Sequence, residues 1–252
     1  MATTDSFATA WIAHGTTRKH PKARLFCLPC AGGSASSYRQ WPSLFPESVE
    51  VCPVQLPGRE GRTGEPLLND LLELTEELGT ALEPYLNIPF ALFGHSLGGL
   101  LAFELARDLR KHGYRCEHLF VAGTPAPHRP RNRAPVHQLP DDELLEYLRN
   151  LGGTPDAVLE KEWLVRMHLP ILRADMACLE RYVYGREAGL SVPITVFGAL
   201  KDAQVDQPDL EAWVDETDGQ VDVEWYEGGH FFVQDAAPQV VTSILERTGW
   251  SS

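Results

Sequence analysis

No stretch of this 252-residue chain approaches the roughly 20 consecutive apolar residues needed to span a bilayer. Residues 1–12 also lack the cationic segment and apolar core of a secretory signal. The two absences predict a cytoplasmic protein with no membrane partner. Positive charge is scarce as well. The chain has 22 Lys and Arg against 35 Asp and Glu, a formal net charge of −13, which argues against a nucleic-acid partner because phosphate neutralisation needs clustered cations. Cysteine is sparse: five, an odd number scattered from Cys27 to Cys178, suit a reducing compartment better than a disulfide framework. Cys27 and Cys30 form a C-x-x-C, but no second pair follows at zinc-site spacing, so inert packing is expected and redox chemistry is the alternative. Internal repeats and low-complexity linkers are missing, and the one Gly-rich loop after a strand lacks the Gly-Lys-Ser/Thr ending of a phosphate-binding loop.

What is present is a 43% hydrophobic content, enough for a substantial core. The expectation is one domain over residues 1–252, carrying one insertion. The chain is organised around Phe93-Gly94-His95-Ser96-Leu97-Gly98-Gly99, which ends an apolar run over 88–93. Gly94 and Gly98 flank Ser96 in a G-x-S-x-G pattern, whose missing Cβ atoms let strand and helix approach closely enough for a strained turn to push the hydroxyl outward. Leu101, Leu105 and Leu109 then recur at helical spacing up to a stop at Gly113. The reading is strand, nucleophile elbow, helix.

Further strands are predicted over Arg24-Leu25-Phe26-Cys27-Leu28-Pro29, Val49-Glu50-Val51-Cys52-Pro53-Val54, His118-Leu119-Phe120-Val121-Ala122-Gly123, Pro193-Ile194-Thr195-Val196-Phe197-Gly198 and Val221-Asp222-Val223-Glu224-Trp225-Tyr226. Tyr38, Trp41, Leu44 and Phe45 suggest a helix after the first strand, and Leu67 through Leu82 to Tyr85 a second, amphipathic one starting at Pro66. Between them Gln55-Leu56-Pro57-Gly58-Arg59-Glu60-Gly61-Arg62 reads as a loop with solvated charges. A closing helix is expected over 238–247. Strands alternating with helices at this rhythm indicate βαβ units, hence an α/β fold with a mostly parallel central sheet flanked by helices.

The rhythm breaks over residues 124–185, where only helical patterns occur. One carries Leu144, Leu145, Leu148 and Leu151. A short one opens at Thr154-Pro155, and a third carries Trp163, Leu164, Met167, Ile171 and Leu172, is broken or kinked near Pro170, and continues through Leu179 and Tyr182. An insertion here would lie over the strand ends where Ser96 sits, so it reads as a helical lid, with a plain packing subdomain as the alternative. Leu148 and Met167 are its candidate substrate-binding residues. Arg129, Arg131 and Arg133 form the basic cluster nearest its entrance, readable as a docking patch or as a solvated loop.

A serine hydroxyl needs a base in hydrogen-bonding reach and a third group to orient that base. Asp202 and His230 each follow a predicted strand, and the chain order Ser96, Asp202, His230 matches the α/β-hydrolase type. Asp206 and Asp209, on the same loop, are rivals to Asp202. His95 should point away from the elbow, and the remaining histidines read as solvated or packed. Attack on an acyl carbonyl creates an oxyanion, for which the fold supplies the N–H of the residue after the nucleophile and one from the first strand-to-helix loop: Leu97 and Ala31. No metal or organic cofactor is required by this chemistry.

At this point the residues resemble a known family, the stand-alone type II thioesterases that accompany polyketide and non-ribosomal peptide synthases. The resemblance spans nearly the whole chain. Its motifs are Leu28-Pro29-Cys30-Ala31-Gly32-Gly33-Ser34, Gln55-Leu56-Pro57-Gly58-Arg59, the elbow, Leu151-Gly152-Gly153-Thr154-Pro155, Leu169-Pro170-Ile171-Leu172-Arg173-Ala174-Asp175 and Gly228-Gly229-His230-Phe231. It implies an α/β-hydrolase fold and hydrolysis of acyl thioesters on the phosphopantetheine arm of acyl or peptidyl carrier proteins, clearing stalled or misprimed chains, with Ser96, Asp202 and His230 as triad. Many members have a histidine where this chain has Cys30; the oxyanion contact there is a backbone N–H, so function should survive. A carboxylesterase or lipase acting on free esters, and a catalytically dead scaffold, are the competing readings. The second would normally have lost a triad member.

Overall fold

Apolar runs form strands covered on both faces, and the alternating Val221-Asp222-Val223-Glu224-Trp225-Tyr226 forms a half-buried edge strand. In the computed structural model, which describes residues 9–130, 134–153 and 161–251, they are β1 (Ala23–Leu28), β2 (Val49–Pro53), β3 (Phe90–His95), β4 (Leu119–Ala122), β5 (Ile194–Ala199) and β6 (Val221–Tyr226). They build one six-stranded sheet in the order β2-β1-β3-β4-β5-β6, every neighbouring pair parallel. The chain leaves β1 outward to β2 and returns across it to β3. That reversal makes the β1/β3 boundary the topological switch point, where such sheets open a crevice beyond their carboxyl ends. Leu28 pairs with Gly94, so the two strands end level there.

Helices follow as α1 (Leu71–Leu82), α2 (Leu97–Lys111), α3 (Asp141–Leu151), α4 (Glu162–Arg181), α5 (Gln207–Glu211), α6 (Phe232–Asp235) and α7 (Ala237–Thr248). Alternation along β1 sends Phe26 and Leu28 to one face and Leu25 and Cys27 to the other. On the first face α1, α2 and Trp213 pack; on the second, Tyr38, Trp41 and α7. A separate cluster, Val136, Leu144, Leu145, Val165, Leu169 and Leu172, joins α3 to α4 and has Ala31 packed against it. Among the described residues no helix is long and apolar enough to cross a membrane.

Some local expectations change. The helix expected over Tyr38 and Phe45 is instead a pair of 3-10 turns, Ala35–Tyr38 and Trp41–Ser43, because Pro42 has no N–H to continue a helix across the gap. Helix α1 starts at Leu71, not at Pro66: the Asp70 carboxylate accepts from the Leu72 and Glu73 N–H groups and sets the start. Helix α4 runs through Pro170 without a break, with Pro170 on its exposed side. The charges of 55–62 are not all solvated. Arg59 and Arg62 are buried, the latter with its guanidinium 4.0 Å from the centre of the Trp11 ring and bonded to Glu65 and the Gln55 carbonyl. The short helix expected at Thr154-Pro155 lies outside the described residues.

Candidate active site

Ser96 leaves β3 with φ 55° and ψ −114° and directly precedes α2. A non-glycine residue in that region costs on the order of 1–3 kcal/mol, so its surroundings must over-determine it. They do. The Ser96 N–H donates to the Ala122 carbonyl at 2.8 Å, and Thr124 Oγ1 donates to the Ser96 carbonyl at 2.9 Å. A Cβ on Gly94 would stand 2.0 Å from the Gly98 oxygen, and one on Gly98 2.1 Å from the Leu28 oxygen. Both glycines are therefore demanded by the contact of α2 with β1 and β3, and they hold the serine out at the switch point.

His230 and Asp202 arrive on the loops after β6 and β5. Asp202 Oδ2 accepts from His230 Nδ1 at 2.8 Å, which leaves Nε2 unprotonated to accept from Ser96 Oγ at 3.0 Å. The other Asp202 oxygen accepts from the Gln204 N–H at 2.7 Å. The carboxylate is 2% exposed and the imidazole 8%, so little water competes for either. The rivals are elsewhere engaged or apart: Asp209 binds Arg129 Nε at 2.8 Å, and Asp206 precedes α5 as an exposed residue. His95 is nearer the site than expected. It is buried, its Nε2–H donates to the His230 carbonyl at 2.7 Å, and burial, then the His230 charge, lower its pKa to about 3. It is thus a neutral prop for the loop that carries His230.

Ala31 sits in a turn after β1 whose Cys30 carbonyl accepts from Gly33 N–H at 2.9 Å. No described group accepts from the N–H of Ala31 or of Leu97, and Ala31 and Ser96 border the same cavity, of about 520 Å³. An oxyanion hole calls for amide donors without other acceptors near the nucleophile. Burial, then the Asp175 carboxylate, push the Cys30 thiol up to about 12, and Cys27 is raised by burial too. The C-x-x-C pair is free and buried, which suits packing.

The wall opposite Ser96 comes from α3 and α4, through Tyr147, Leu151, Leu172, Met176 and Leu179. Leu148 and Met167 are corrections. Neither borders this cavity: Leu148 packs within the α3–α4 cluster, and Met167 is 65% exposed, as is Trp163 at 66%. On α4 the inward series is Val165, Leu169, Leu172, Met176 and Leu179, which keeps Leu172 and Leu179 of the expected helix pattern but not Trp163 or Met167. The Tyr147/Leu151 and Leu172/Met176 pairs, each four residues apart, were the sequence signal for the true lining. Of the basic cluster, Arg129 is held by Asp209, while Arg131 and Arg133 lie outside the described residues.

A parallel sheet with a serine elbow at its switch point, followed in order by an acid and a histidine on later strand ends, defines the α/β-hydrolase class. Within that class the chain belongs to the thioesterase family: the family described as Thioesterase domain matches residues 23–248. It is 40% identical over 238 residues to the gramicidin S biosynthesis protein GrsT of Aneurinibacillus migulanus, covering 94% of this chain and 93% of that one. It is 37% identical to the thioesterase PikA5 of Streptomyces venezuelae over 94% of this chain and 84% of that protein. The solved structure of the type II thioesterase BorB, from the borrelidin biosynthetic cluster, superposes with a TM-score of 0.89 at 37% identity, covering 97% of this chain and all of the other (100%).

Proposed function

We propose that the chain is a type II serine thioesterase that releases acyl groups from the phosphopantetheine arms of acyl or peptidyl carrier proteins, editing stalled or misprimed chains on polyketide or non-ribosomal peptide synthases in the cytoplasm. The observation that carries this reading is the hydrogen-bond series Asp202–His230–Ser96 opening on a cavity walled by α3 and α4, in a chain of the thioesterase family. Ser96 Oγ attacks the thioester carbonyl as its proton passes to His230 Nε2, and Asp202 stabilises the imidazolium. The carbonyl oxygen becomes an oxyanion held by the Ala31 and Leu97 N–H groups. Collapse breaks the C–S bond, and His230 returns the proton to the departing sulfur, leaving the carrier with a free thiol and Ser96 with the acyl group. A thiol, with a pKa of about 8.5 in free cysteine, needs little help to leave. Water, deprotonated by the same imidazole, then attacks the acyl-serine and releases the carboxylic acid. The residues of 124–185 serve as the lid, and their inner side chains cradle the acyl chain.

The test is a panel of acyl-loaded carrier proteins read by intact mass, with wild type and Ser96→Ala. Wild type should return each carrier to its free-thiol mass, and Ser96→Ala should leave the acyl mass in place. Hydrolysis of small free esters with every acyl carrier untouched would instead mark a carboxylesterase.

A further inference from the structure

Arg59 and Asp175 come from two of the segments that carry the resemblance, 55–59 and 169–175, and they meet far from either neighbour in sequence. Arg59 Nη1 and Nη2 donate to Asp175 Oδ2 and Oδ1 at 2.6 and 2.7 Å, with the two residues 5% and 1% exposed. A bidentate pair this deep gives geometric precision, yet buried ion pairs add little net stability over a well-packed apolar pair. What distinguishes this one is its hold on the backbone.

The turn 30–33 is gripped peptide by peptide. In the first, the Cys30 carbonyl points into the turn to accept from Gly33 N–H at 2.9 Å. The N–H and C=O of a trans peptide point in opposite directions, so the Ala31 N–H of that same peptide is turned outward. In the next, the Gly32 N–H donates to Asp175 Oδ2 at 2.7 Å, with Gly32 at φ 72°. Beyond it the Gly33 carbonyl accepts from Arg59 Nη1 at 3.0 Å, and Arg59 Nε is tied to the Pro57 carbonyl at 3.3 Å. On α4, Leu172 and Met176 lie three before and one after Asp175 and pack in the cluster that includes Ala31. Of the hydrogen bonds made by the peptides 31–32, 32–33 and 33–34, the ion pair supplies two and the Gly33–Cys30 bond is the third; the next anchor is the Ala35 N–H on Gln55 Oε1.

We infer that Arg59 and Asp175 are positioning residues for the oxyanion donor: carried half by the loop after β2 and half by α4, they fix the peptides that follow Ala31 and so aim its N–H at the reacting oxygen. The inference rests on Ala31 being that donor in the proposed mechanism. Helix α4 thus enters the site through a carboxylate that binds backbone as well as through its apolar wall.

The experiment is steady-state hydrolysis of an acyl-pantetheine thioester by Asp175→Asn, Arg59→Lys and the apolar double variant Arg59→Met/Asp175→Leu, with folding followed by circular dichroism. The double variant removes the charges together, which buried pairs tolerate, and it carries the test if a single variant fails to fold. Expected is a fall in kcat of about 10- to 100-fold, short of the loss of about 10²–10³ when an oxyanion donor is deleted outright. KM should stay within about threefold. Affinity for an acyl trifluoromethyl ketone, which becomes tetrahedral on the serine, should fall by the same factor as kcat, and affinity for the unreactive amide analogue should hold. Folded variants with wild-type kcat, or equal losses on ketone and amide, would overturn the inference. Ser96→Ala run alongside separates the two readings: if it still turns over, the mechanism fails; if it is dead while Asp175→Asn is normal, only the positioning role fails.

Discussion

Residue identity matters most where the backbone leaves no alternative. At Gly98 a methyl group would collide with the Leu28 carbonyl, and at Ser96 a strained φ is held by the Ala122 carbonyl and the Thr124 hydroxyl. Around the histidine the geometry separates Asp202 from Asp206, on the same loop, and from Asp209, which lies on α5. Asp202→Asn should lower kcat by about 10³–10⁴, as loss of the orienting acid does elsewhere, and Asp206→Asn should stay within about twofold of wild type. The effect of Asp202→Asn should largely vanish in a His230→Ala background, since such groups act as a unit. Steady-state kinetics on one thioester decides this, and the reverse order for Asp202 and Asp206 would move the acid. Cys30 gives a second prediction at this scale. With its thiol pushed up to about 12 by burial and by Asp175, its thiolate fraction at pH 8 is on the order of 10⁻⁴. Native protein treated with iodoacetamide at that pH should carry no adduct on Cys30 by peptide mass mapping, whereas urea-unfolded protein should be alkylated there.

Elements were legible in proportion to how local their causes are. Strands β1 to β6 fall within a few residues of their apolar runs, and α2 begins where the elbow requires. Helix α1 was legible in its apolar face but not in its start, which a single side-chain cap at Asp70 decides. Helix α4 shows the limit. Its sequence holds two apolar sides, one with Trp163 and Met167 and one with Leu169, Leu172, Met176 and Leu179; the expected pattern mixes them, running from Trp163 and Met167 to Leu172 and Leu179, because periodicity alone treats them alike. Packing against α3 and the turn after β1 selects the second. Polar replacement of Met176 or Leu179 should therefore shift acyl chain-length preference, the ratio of kcat/KM between short and medium chains, by about tenfold. Met167→Ser should leave that ratio unchanged. Equal effects from Met167 and Met176 would mean that α4 presents its outer face to the substrate.

Across the whole molecule the parallel sheet buries two histidines, and this ties stability to pH. Burial, then the His230 charge, lower His95 to about 3, and burial, then Arg247, lower His118 to about 4, where its Nε2 meets Thr195 Oγ1 at 2.8 Å. Both remain neutral when folded and take a proton near the ordinary histidine value of about 6.5 when unfolded. Their contribution to stability is complete above about pH 6.5 and is lost as pH falls toward 4 and 3, at up to about 1.4 kcal/mol per pH unit for each proton. Urea unfolding at pH 7 and pH 5 should show this loss, and His118→Gln should remove about one proton from the slope; an unchanged slope would mean that His118 titrates normally in the folded state. At this scale too the division between chain and fold is plain. The strands, the elbow glycines and the order Ser96, Asp202, His230 could be read from the chain because each rests on neighbours within a strand, a turn or one helical repeat. The side of α4 that meets the cavity at Ser96, the burial of Arg59 in a loop that reads as solvated, and its pairing with Asp175 across 116 residues could not. Those depend on which distant segments share the crevice beyond β1 and β3, and only the assembled sheet with its helices in place brings them within bonding distance.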